Sequence, residues 1–117
     1  MNEAELARER ISKEMTLAET FRKQGNEGRA RVCARRAVGI ALVWYYESRK
    51  INITNPDVIE LMKRVLSDSI VPDDVQQAAQ RLSAKITSEF QYASSSDPLA
   101  DARCIIDFVL KETGYVA

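Results

Sequence analysis

Residues 28–49, GRARVCARRAVGIALVWYYESR, decide the fold. The first half of this stretch is strongly basic, with Arg29, Arg31, Arg35 and Arg36, while Ala37 to Tyr46 is apolar almost all round. A helix that is apolar on every side is enclosed by neighbours on several sides, so this segment is expected to be the central helix of the molecule. Ala30, Cys33, Ala34, Ala37, Ala41 and Ser48 recur at steps of three, four and seven. They form one face of small side chains that lets another helix approach closely. Gly39, inside the helix, costs about 1 kcal/mol relative to alanine, which implies a packing reason for it.

Working outward, the preceding segment places Ala4, Ala7, Ile11, Met15 and Ala18 at three- and four-residue steps, with Leu17 and Phe21 widening the stripe. That is the periodicity of an amphipathic helix. Gly25-Asn26-Glu27-Gly28 stops it in a short turn. It neither follows a strand nor has the spacing of a phosphate-binding glycine loop. Downstream, Asn55-Pro56-Asp57 reads as an N-cap, a first-position proline and a first-turn acid, opening a helix with Val58, Leu61, Met62 and Val65 on its apolar face. Val71-Pro72-Asp73-Asp74 opens a fourth, whose stripe runs through Val75, Ala78, Ala79 and Leu82 to Ile86 and Phe90. Ser94-Ser95-Ser96 is a loop, and Asp97-Pro98 caps a last helix carried by Leu99, Ala102, Ile105, Ile106, Val109 and Leu110 and ended by Gly114. No segment alternates with period two. The expected architecture is all-α, one domain over residues 1–117, an antiparallel bundle of about five helices with short connections.

The chain has 117 residues, an equal 17 basic and 17 acidic side chains, and no histidine. The missing histidine removes Ser-His-Asp and Cys-His catalysis, the usual zinc sites and imidazole acid–base work near neutral pH. Cys33 and Cys104 lack metal-ligand spacing and are expected to be reduced core residues of a cytoplasmic protein. No apolar run approaches the roughly 20 residues that span a bilayer, so no membrane association is expected. Neutrality hides an asymmetry. Residues 1–50 hold 11 basic and 7 acidic side chains, an excess of +4, and residues 51–117 hold 6 and 10, an excess of −4.

Two readings of Arg29, Arg31, Arg35 and Arg36 stand open. One is a phosphate-contacting patch for RNA or a nucleotide. The other is pairing with the acidic later helices, within the chain or between subunits. At 100° per residue Arg29 and Arg36 point one way and Arg31 and Arg35 another, so the four are not one stripe. Trp44, Tyr45 and Tyr46 point in three directions and cannot form a joint base-stacking platform, which leaves core packing or a subunit interface. Asp57, Asp73 and Asp74 suit helix N-termini. Asp97 and Asp101 lie four apart, but Asp97 reads as a cap, so no metal site is expected, and no catalytic residue or cofactor either.

The run from Ala18 to Asn26 (AETFRKQGN) followed by Ala30 to Leu42 (ARVCARRAVGIAL) resembles the first helical hairpin of HEPN domains. In that family a helix ends in a Gly- or Asn-bearing turn before a helix rich in small residues with a bulky end. Leu82 to Phe90, Tyr92 and Asp97 to Leu110 look like the family's closing helix pair. The resemblance implies a five-helix fold, a tendency to form homodimers, and a toxin–antitoxin or defence setting. Some members are ribonucleases and others partner a small nucleotidyltransferase. The ribonucleases use an Arg followed four to six residues later by a His. Arg81 sits at a plausible place, but no histidine follows it, so the pair does not carry over. The reading that results is a non-catalytic helical binding or assembly module, working either as a homodimer, with its interface on the first two helices near Trp44, Tyr45 and Tyr46, or as the helical partner of a nucleotidyltransferase. RNA or nucleotide binding at the basic cluster is the alternative.

Overall fold

A computed structural model describes residues 2–54, 56–84 and 97–114. Among these the chain forms five helices and no strand: α1 (Glu3–Lys23), α2 (Glu27–Ser48), α3 (Val58–Leu66), α4 (Asp73–Ser83) and α5 (Pro98–Glu112). The all-α bundle expected from the sequence is the observed architecture. None of these helices is long and apolar enough to cross a membrane. α2 is the central helix: it packs against α1, α3 and α5, while α4 packs against α3 and α5.

The α1–α2 turn follows directly from its residues. Gly25 takes a φ of +77°, the left-handed conformation that a glycine adopts without a Cβ clash. That lets the Asn26 N–H donate to the Phe21 carbonyl (2.8 Å) and the Gly25 N–H to the Arg22 carbonyl (2.9 Å), the paired closure of a Schellman motif. Asn26 then serves the next helix, its side-chain oxygen accepting from the Arg29 N–H at 3.2 Å. Three residues therefore reverse the chain, and α1 and α2 lie antiparallel. The small face of α2 is the seam: Ala30, Ala34, Ala37 and Ala41 are fully buried, with Cys33, against Ile11, Met15 and Ala18 among others. Ser48, placed on that face by spacing, is exposed at the helix end, where its hydroxyl donates to the Tyr45 carbonyl. Leu17 does not widen the α1 stripe either, since it is 43% exposed.

α3 begins two residues later than its sequence suggests. Asp57 is the cap, its carboxylate accepting from the Ile59 N–H at 2.9 Å, and Val58 is the first helical residue. A carboxylate already placed to bond the second free N–H makes the upstream cap unnecessary; Asn55 lies outside the described residues. α4 ends at Ser83, and Ala84 is extended. The positions Ile86 and Phe90, read as continuing its stripe, and Ser94 to Ser96 lie outside the described residues. α5 starts as expected, with Asp97 accepting from the Leu99 N–H at 2.9 Å and Pro98 in the first turn.

Gly39 and Lys50 invert the expected roles of glycine. A Cβ built on Gly39 meets Val58 Cβ and Cγ2 at 3.5 Å, an ordinary contact, so no packing demand excludes a methyl group there. Lys50, by contrast, holds a φ of 65° to close a second Schellman turn, its neighbour Ile51 donating to the Tyr46 carbonyl at 3.0 Å. A side chain in that conformation costs about 1 kcal/mol. Gly39→Ala and Lys50→Gly are each expected to stabilise the protein by roughly 0.5–1 kcal/mol. Thermal unfolding of the double variant checks this, and an unchanged or lower melting temperature contradicts it.

Two aspartates, the exposed Asp97 and the half-buried Asp68, make stability depend on acid. Hydrogen bonds from Arg22 hold the Asp97 carboxyl below the usual range, against the opposing effect of burial. At Asp68 burial pushes the carboxyl upward, but the bonds from Arg49 (2.6 Å) and the Ile70 N–H (3.1 Å) outweigh it and the net shift is downward. An aspartate in an unfolded chain titrates near about 3.9, so both groups contribute their full stability above that value and lose it as pH falls through the lower folded values. Urea midpoints are therefore expected to be level from neutral pH to about pH 5 and to drop steeply below about pH 4. Asp68→Asn should flatten that drop.

Candidate binding groove

The α1/α2 hairpin presents a groove about 1030 Å³ in volume, lined also by Pro56 and Val58, ahead of and at the start of α3. Its floor is apolar. Leu6 and Val32, large aliphatic side chains, stand 49% and 47% exposed. Ile40, Val43 and Trp44 are half-buried between them and the core. The local origin of this surface is plain. α2 is apolar around most of its circumference, and α1, α3 and α5 cover only part of it. The uncovered strip meets the few apolar residues of α1 that lie off its core stripe.

Charge lines the rim. Glu3 and Glu47 stand at the end where α1 begins and α2 finishes, and Arg10, Lys13 and Arg36 stand toward the other. Glu14 lies inside the groove, 18% exposed at its side chain, with the Arg36 guanidinium 4.0 Å from its Oε2. That oxygen is buried and accepts no hydrogen bond among the described residues. A carboxylate oxygen withdrawn from water and left without a donor is uncommon in a complete structure.

The four arginines read as a possible phosphate patch are dispersed. Arg29 is exposed, its guanidinium 5.6 Å from the Phe21 ring centroid. Arg31 is half-buried. Arg35 points back into the fold, where its Nε donates to the Leu82 carbonyl at 2.9 Å and an Nη to the Ala84 carbonyl at 3.1 Å. A cation at the last carbonyls of α4 complements the negative end of the helix dipole, so Arg35 is the C-terminal cap of α4. Arg35 and Arg36 both line the groove, Arg35 with its guanidinium tied to the end of α4 and Arg36 on the rim.

Trp44, Tyr45 and Tyr46 also separate. Trp44 lines the groove. Tyr45 and Tyr46 are 3% and 1% exposed, so they pack inside the chain and offer no surface to a partner. They stack edge to face at 5.0 Å, and Phe108 of α5 adds a third ring at 5.4 Å from Tyr45. Asp97 and Asp101 are not a metal pair: Asp97 caps α5 and takes a two-pronged bond from Arg22, and Asp101 takes another from Arg81. No cluster suited to a metal ion occurs among the described residues.

With the groove and these pairings in place, the chain can be set beside known proteins. No family model, curated protein or solved structure matches it. The site therefore has to be read from its own chemistry. Burial pushes both thiols up, Cys33 further helped by Glu14 and Cys104 by Asp74, so each stays protonated near neutral pH and is a poor nucleophile. Sequence reasoning missed Leu6 and Val32. The available signal was that each is a large aliphatic residue off the core-facing stripe of its helix.

Proposed function

We propose that this chain is a non-catalytic, HEPN-like helical module that binds a protein partner along the α1/α2 groove, as a homodimer or beside a small nucleotidyltransferase in a toxin–antitoxin or defence setting. One observation carries the reading: two large aliphatic side chains, each nearly half exposed, lie in one groove with a half-buried tryptophan. Apolar surface concentrated in a groove and rimmed by charge is how protein-interaction sites are built. The unbonded Glu14 oxygen supports it, since a partner's donor would complete the site. The HEPN-like label rests on the Gly/Asn turn followed by a small-residue helix with a bulky end. Arg35, engaged with α4, and the spread of its neighbours count against a single phosphate-binding patch.

Photo-crosslinking tests this. A benzophenone side chain in place of Val32 is expected to give a discrete protein adduct in cells, and one in place of the exposed α4 residue Gln80 is not. No adduct from Val32, or one that ribonuclease removes, overturns the reading.

A further inference from the structure

We propose that the groove takes an amphipathic helix of a different protein, one that carries acidic residues about two turns beyond its apolar anchors. This rests on the binding-module reading above and names the chemistry of the partner. The Glu14–Arg36 and Arg22–Glu27 contacts fix the register of the antiparallel hairpin. Leu6 and Ala7 then lie level with Trp44 and Val43, Arg10 with Ile40, and Lys13 with the turn that holds Arg35 and Arg36. The half of the groove nearer the start of α1 is therefore an apolar floor. The other half is cationic. Arg10, Lys13 and Arg36 are exposed there, and Glu14 is the one acid set among them. Arg35 contributes its stem to this half while α4 holds its guanidinium. Arg10 and Lys13 make no ion pair with any described residue, and Arg36 stands 4.0 Å from Glu14.

Exposed cations without partners, next to an apolar floor, are complemented by carboxylates on whatever covers that floor. The level of Leu6 and the level of Lys13 are about 10 Å apart, at a rise of 1.5 Å per residue. That span is about two turns of a helix laid along the groove, so its anchors and its carboxylates share one face. Glu3 and Glu47, level with each other at the apolar end, favour the positive N-terminal end of such a helix. The acids of the occupant therefore follow its anchors in sequence. A second copy seated face to face does not meet these terms. Arg10 lies near the middle of the groove, and a two-fold axis there would set it against its own equivalent.

Sequencing the crosslinked partner and then measuring its affinity tests this. The adduct formed by benzophenone in place of Val32 is digested and the attached peptide is identified by mass spectrometry. The expected peptide comes from a different protein. It holds Asp or Glu within a turn of the crosslinked position and apolar residues about seven positions before them. A synthetic peptide of that segment is then titrated against the purified chain, following the fluorescence of Trp44, the sole tryptophan. Covering the groove should shift that emission to the blue. Arg10→Glu with Lys13→Glu should raise the dissociation constant by about tenfold or more. Both positions are exposed, and circular dichroism verifies that the fold is kept. A peptide that is basic where acids are expected, an affinity unmoved by the reversal, or an adduct between two copies of this chain overturns the acidic helix and leaves the groove a protein-binding site. No protein adduct at all overturns the binding module with it.

Discussion

Tyr46→Ala is expected to destabilise the protein by about 4 kcal/mol, whereas Tyr46→Phe should cost about 1 kcal/mol or less. Among the described residues Tyr46 is the largest fully buried side chain, at 1% exposure, in the last turns of the central helix. Its ring meets Tyr45 edge on and lies beneath the guanidinium groups of Arg49 and Arg64, at 5.7 and 5.5 Å from the centroid. Truncation removes all of these contacts and leaves a cavity that helices held on three sides close only in part. The hydroxyl matters less. Its bond to Asp68 is long, at 3.4 Å, and Asp68 keeps its stronger partner Arg49 at 2.6 Å when the hydroxyl is gone. Urea denaturation of the two variants separates ring from hydroxyl. A domain with total stability of roughly 5–15 kcal/mol would be largely unfolded or close to it in the alanine variant. A loss below about 2 kcal/mol would mean that the site collapses around the gap, contrary to the packing described.

The second large effect belongs to Arg81. Its guanidinium donates to both carboxylate oxygens of Asp101, with Nε at 3.1 Å from one and Nη2 at 2.8 Å from the other. Asp101 is the one charged residue in the buried set among the described residues, at 5% exposure. Arg81→Met keeps the aliphatic stem and deletes the cation, leaving a carboxylate withdrawn from water without its guanidinium. The expected loss is about 3 kcal/mol, because deleting one member of a buried pair removes its attraction while the other charge stays desolvated. Arg81→Met combined with Asp101→Leu should be more stable than Arg81→Met alone, since the desolvated carboxylate goes with its guanidinium. Guanidinium-free denaturation in urea, at fixed salt, measures both. A double variant less stable than the single one would show that Asp101 acts through something other than its pairing with Arg81.

What was legible beforehand was whatever one segment determines by itself. Helix content, the central place of α2, its seam of small residues, the Gly25 turn and the Asp97-Pro98 start all follow from local spacing and capping chemistry. The start of α3 was misplaced because Asn55 and Asp57 are both competent caps, and only the folded backbone chooses between them. Arg35 was unreadable for a different reason: its partners are carbonyls 47 and 49 residues away, at the end of a helix whose apolar stripe reads on past that end. Trp44, Tyr45 and Tyr46 point three ways, and which ways lead inward depends on where α1, α3 and α5 sit. The groove required two helices at once. Leu6 and Val32 become a surface only when the hairpin register sets them along the same opening.

Arg22 has a consequence for the order in which the molecule comes apart. This one guanidinium joins the end of α1 to Glu27 in the first turn of α2 and to the Asp97 cap of α5, across 75 residues of chain. The link to Glu27 closes a few residues and forms as soon as the hairpin does. The link to Asp97 requires a long loop to close first, an entropic cost that is met only once the intervening helices are in place. Contacts that form after the transition state act on the rate of unfolding and leave the rate of folding almost untouched. The first half of Arg22's grip is thus an early event and the second a latch, which governs how long the finished molecule stays shut.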